Sequence, residues 1–221
     1  MTRMLTLCAV VTLGAVALAQ TPATQRPDPK NVKLRGGRFQ PLTYEQMTPA
    51  QRTMIEHVLS GPRGSNGDGP FNVQLRSPEM GDLAQQFGAS TRFATTVPRK
   101  LYELAIIITA RHWTAQFEWT AHRRGALQAG LSPAIADAIA VGRRPASMAP
   151  DETAVYNFTT ELLETKQISD ATFNAAKALL SERGVVELVN LTGYYTLVSM
   201  LLNIDQYPLA DGAQPELKPL K

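Results

Sequence analysis

The sequence predicts an all-α protein, one bundle of seven or eight helices, on three observations. Helix-start signals recur along the chain, each a Ser or Thr followed by proline: Thr48-Pro49, Ser77-Pro78 and Ser132-Pro133. Apolar residues between these signals follow a helical period, and the segments end in glycine at Gly61, Gly130 and Gly142. No segment alternates with period two between hairpin turns, so no sheet is expected.

Taken in order, helices are expected over 48–60, 77–93, 98–112, 114–128, 132–141, 151–166, 169–183 and 184–203. Thr48 with Gln51 forms a capping box at the first start. The stretch from Leu101 to Ile108 is apolar on nearly every side, which puts its helix at the centre of the bundle. Ile106-Ile107-Ile108 alone would also suit a short buried strand, but it has no hairpin partner. Residues 63–69, rich in Gly and Ser, are expected to form a loop.

The chain begins with Arg3, an apolar run from Met4 to Leu18 and Ala17-Leu18-Ala19, the pattern of a signal peptide cleaved after Ala19. A membrane anchor is the alternative, but the run is shorter than the ~20 residues needed to span a bilayer. An exported protein, periplasmic or secreted and with no membrane span in its mature form, is therefore expected. Cys8 is the only cysteine and lies in that segment. The mature chain would then hold no disulfide, thiol nucleophile or thiolate metal site.

Residues 20–40, with Pro22, Pro27, Pro29, Gly36 and Gly37, read as a flexible arm preceding a domain over 41–208 and a tail over 209–221. The arm carries Arg26, Lys30, Lys33, Arg35 and Arg38 against Asp28 alone, while the whole chain has a net charge of only +3. Such an arm can touch anionic lipid or nucleic acid, but a solvated linker is the stronger reading, and no nucleic-acid partner is expected.

Three histidines, His57, His112 and His122, limit the acid–base chemistry available. Glu118 and His122 stand at i and i+4, one helix face, where a carboxylate holds an imidazole in one tautomer and raises its basicity. Glu103 lies in the most apolar helix, where a charge is expensive unless paired. Each also has a plain reading: an ordinary Glu–His contact, and a structural acid paired with Arg99 or Arg111. No His-x-x-x-His or acidic cluster completes a metal site, so neither metal nor cofactor is expected.

The segment Pro98-Arg99-Lys100-Leu101-Tyr102-Glu103-Leu104-Ala105-Ile106, then Phe117-Glu118-Trp119-Thr120-Ala121-His122, then Ala126 through Gly130-Leu131-Ser132, resembles the core of the carboxymuconolactone decarboxylase-like family. That family includes the alkyl hydroperoxidase D proteins. Gly193-Tyr194-Tyr195-Thr196 and Asn203 extend the likeness, which covers about Phe71 to Asn203. The resemblance implies an all-helical fold and a homo-oligomer, trimer or hexamer. It also implies that Glu103 and His122 stand at the family's glutamate and histidine positions. Ala115 and Glu118 occupy the places of the peroxidase branch's cysteine pair, so thiol-dependent peroxide reduction has no nucleophile here.

The resulting expectation is a cofactor-independent lyase or isomerase acting on a small carboxylated or cyclic metabolite. His122 would be the proton-transfer group, Glu118 its orienting partner and Glu103 a second acid. Trp119 and Phe71 would be apolar pocket walls, and Arg76 would pair with a substrate carboxylate. The three charged residues are expected to converge on one partly enclosed pocket, and His122→Ala to abolish activity with the fold intact. The competing readings are a peroxide-handling oxidoreductase and a non-catalytic binding or assembly protein on the same scaffold.

Overall fold

A computed structural model describes residues 27–63, 67–210 and 212–219. Among them are eight helices and no strand: α1 Pro49–Ser60, α2 Phe71–Gln74, α3 Pro78–Phe93, α4 Arg99–His112, α5 Gln116–Gln128, α6 Pro133–Ala140, α7 Pro150–Thr165 and α8 Asp170–Asp205. The all-α expectation holds. The expected signal peptide and residues 20–26 of the expected arm lie outside the described residues.

α4 is the axis of the bundle. Every residue from Leu101 to Arg111 is buried, and α5, α6, α7 and α8 all pack against it. Its tripeptide Ile106-Ile107-Ile108 is helical, because a buried helix surrounded by helices needs apolar side chains on every face. The main core joins α4 to Trp119, Phe158, Leu188 and Leu191 of α5, α7 and α8. A smaller core forms from Leu34, Met47, Met54, Ile55, Phe71 and Leu75.

The Thr48 cap appears as expected, its side chain accepting from the Gln51 backbone N–H. The two C-terminal helices form one run, α8, broken at Ser181 with φ of 64° rather than at Gly184. α8 contains a stretch of mean hydropathy 1.4, long and apolar enough to cross a membrane, and half of that stretch is buried inside the bundle. Central helices of bundles share that composition.

The flexible-arm expectation is overturned for residues 27–40. This segment crosses the C-terminal end of α8, where the fully buried Asp205 carboxylate accepts from the Gly37 N–H at 3.2 Å and the Phe39 N–H at 2.7 Å. Leu34 is buried in the smaller core. Gly36 and Gly37 provide close approach rather than flexibility. A Cβ on Gly37 would lie 2.3 Å from the Asp205 carbonyl oxygen, and one on Gly36 would lie 2.2 Å from that of Phe39. The tail is also seated: Leu217 is buried, and its carbonyl accepts from Gln116 at 2.6 Å.

Candidate active site

α4 delivers Glu103 and α5 delivers Glu118 and His122, across the most extensive helix–helix contact in the molecule. A short turn at 113–115, with Thr114 at φ of 50°, brings α5 back along α4. One turn beyond His122, Gly125 leaves room for the Glu103 carboxylate. A Cβ there would stand 2.9 Å from Glu103 Oε1.

The three side chains form a bridged cluster. His122 Nδ1 is 2.6 Å from Glu103 Oε2, and Nε2 is 3.0 Å from Glu118 Oε1. Side-chain exposure is 1% for Glu103, 5% for Glu118 and 10% for His122, so Glu103 is the most deeply buried of the three. Burial alone would lower the imidazole pKa; the charges and hydrogen bonds of Glu118 and Glu103 overcome it, and His122 is raised. A protonated ring donates from both nitrogens, which matches two carboxylate partners.

Glu118 and His122 open on a cavity of about 240 Å³, lined also by Phe71, Arg63, Arg92, Tyr194 and Tyr195. Glu103 stands behind the cavity wall. Tyr195 is 2% exposed, its ring packed edge-on against His122 at 4.9 Å, and its hydroxyl has no hydrogen-bond partner among the described residues. Burial, and then the opposing pull of Arg92, leaves the Tyr195 hydroxyl well above its ordinary value, so it stays protonated and able to donate. Arg92 makes one ion pair, 3.8 Å to Glu103, and its Nε has no partner. Arg63 Nη2 reaches the Tyr194 hydroxyl at 3.4 Å.

The rim is fixed by residues whose roles no spacing announces. Asp68 accepts from Arg35 Nη2 at 2.6 Å and from the Tyr207 hydroxyl at 2.5 Å. Arg35 in turn lies over the Phe117 and Tyr207 rings. Gly88 admits Tyr194, since a Cβ there would fall 1.9 Å from the ring.

Glu103, Glu118 and His122 are brought together and Phe71 lines the cavity, but two expected pocket residues do not. Trp119 is fully buried in the core, with its indole N–H donating to Glu216 at 3.0 Å. It occupies the α5 face turned into the bundle. Arg76 is committed to the backbone carbonyls of Gln40 and Asn72 and covers the Phe39 ring, tying down the N-terminal segment. Arg63 and Arg92 are the cations at the cavity. Glu103 pairs with Arg92 rather than with Arg99 or Arg111. His57 meets Asp82 from α3 at 2.8 Å.

Among the described residues no group of three His, Cys, Asp or Glu side chains is arranged to hold a metal ion. No family model matches the chain, and no curated protein matches it.

Proposed function

We propose that the protein is a cofactor-independent acid–base enzyme, of lyase or isomerase type, acting at carbon next to a carbonyl in a small carboxylated or cyclic metabolite. The observation that carries this reading is the buried Glu103–His122–Glu118 bridge ending at a cavity. The bridge holds one mobile proton, either as imidazolium with two carboxylates or as neutral imidazole with one carboxylic acid. It can therefore accept a proton from a ligand or return one.

The roles differ from those read from spacing. Glu103, behind the wall, orients the imidazole, while Glu118 and His122 exchange protons with the ligand. When Glu118 takes a proton from carbon, the C–H electron pair moves into the adjacent carbonyl. The developing oxyanion would be met by the Tyr195 hydroxyl and the Arg92 guanidinium. In a decarboxylation the carbon–carbon pair follows the same route as carbon dioxide leaves, and the bridge returns a proton to carbon. Arg63 is available for a second carboxylate.

The test is deuterium incorporation at carbon, followed by NMR in heavy water, for a panel of small keto acids and carboxylated lactones. Exchange with at least one compound is expected, falling by ~10²-fold or more in Glu118→Gln. A panel that shows neither exchange nor decarboxylation would remove the reading.

The resemblance to oligomeric helical proteins finds support on α8. Val186, Val189, Leu197, Met200 and Ile204 are exposed at helical spacing. Gly193 lies between them, with nothing within 4 Å of the place a Cβ would take. A second copy would cover this stripe. Sedimentation velocity should show an oligomer that Leu197→Glu dissociates; a monomeric wild type would refute it.

A further inference from the structure

On another side of α4 a second cavity, of about 130 Å³, lies between α4, α6 and α7. Its lining includes Arg111, His112, Arg143, Thr160 and the rim acid Glu164, over walls of Ile108, Ile139 and Leu163. Arg111 is 4% exposed. Its Nη2 is held in place by the Lys218 carbonyl at 2.8 Å and by Thr114 Oγ1 at 3.4 Å. Its Nε and Nη1 have no hydrogen-bond partner, and neither does the buried Thr160 hydroxyl. Among the described residues neither Arg111 nor Arg143 takes part in an ion pair.

A guanidinium cannot relieve burial by losing its proton, so an unpaired one in a cavity wall leaves an uncompensated charge. The candidate active site gives its buried charges partners of opposite sign; this cavity does not. The missing partner must be negative and rich in acceptors, to satisfy two guanidinium N–H groups and a hydroxyl. It must also fit within a cavity of about 130 Å³, which favours a small ion.

We propose that this second cavity is a binding site for a small oxyanion of the phosphate or sulfate type. Arg111 and the Thr160 hydroxyl form its inner end. Arg143 and His112, both exposed, lie toward solvent and guide the ion inward. The ligand sits at the junction of α4, the α6–α7 connection and α7, and ties three helices to one charge. Nothing in this proposal depends on the chemistry of the other cavity.

The experiment is thermal unfolding of the full chain in potassium phosphate and potassium sulfate, each against potassium chloride at matched ionic strength. A saturable rise in Tm is expected with the oxyanions, about 4 °C at ten times half-saturation. Arg111→Met should abolish the rise, and Thr160→Val and Arg143→Gln should raise the half-saturating phosphate several-fold. Arg92→Gln, in the first cavity, should leave the rise in place. The proposal is overturned if phosphate does no more than chloride, or if the rise survives in Arg111→Met. Loss of the rise in Arg92→Gln overturns it as well, since the ion would then occupy the first cavity. Should Arg111→Met not fold, Arg143→Gln decides: its side chain is exposed, and an unchanged half-saturation refutes the site.

Discussion

His122→Gln is expected to lower deuterium exchange by ~10²–10⁴-fold and to destabilise the protein by about 3–5 kcal/mol. The first effect follows from removal of the group that joins the two carboxylates. The second follows from what it leaves behind: Glu103 and Glu118, at 1% and 5% side-chain exposure, lose their shared partner. The fold would therefore not be left untouched, as i,i+4 spacing alone suggested. Urea unfolding and the exchange assay measure the two effects separately, and a variant as active as wild type would end the catalytic assignment.

The same imidazole sets a pH dependence. Because its folded pKa is raised, His122 binds its proton more tightly in the folded than in the unfolded chain. Its contribution is complete below the unfolded value of about 6.5 and is lost as pH rises through the higher folded value. The urea midpoint should decline across that window, in step with titration of the His122 resonance above pH ~6.5.

Asp205→Ala is expected to cost about 3–5 kcal/mol and to release residues 27–40. The carboxylate accepts from two backbone N–H groups, and hydrogen bonds to a charged acceptor contribute about 1.5–3 kcal/mol each. Among the described residues no other acceptor meets the Gly37 and Phe39 N–H groups, so the alanine leaves both donors without a protein partner. Amide exchange read by mass spectrometry should show protection lost in the N-terminal segment while α4 stays protected. Retained protection would show that Leu34 and the smaller core hold the segment unaided.

Helix existence was legible because caps and periodicity are local properties, and the α4 axis was legible because Leu101–Ile108 is apolar on nearly every face, Glu103 excepted. The Glu103–His122 contact followed from two neighbouring helices, one of which had to bury its acid. What composition concealed was packing at a distance. Gly36 and Gly37 have the same composition as a linker, yet Gly37 is a glycine because the end of α8 passes within Cβ range, and Gly36 because the Asn72 side chain and the Phe39 carbonyl do. Arg76 and Arg92 are likewise indistinguishable as letters; one meets carbonyls of the N-terminal segment and the other a cavity. Trp119 follows Glu118 by one position, and that ~100° step turns it from the cavity to the core.

The seating of Gly37 and Phe39 on Asp205 joins residues 166 to 168 positions apart. A ribosome adding roughly 5–20 residues per second needs on the order of 10–30 s to pass from one to the other. For that interval the segment has been made and its anchor has not. The last helix to emerge therefore determines when the first described residues can settle, and a chain cut short before Asp205 would keep its amino-terminal stretch unmoored.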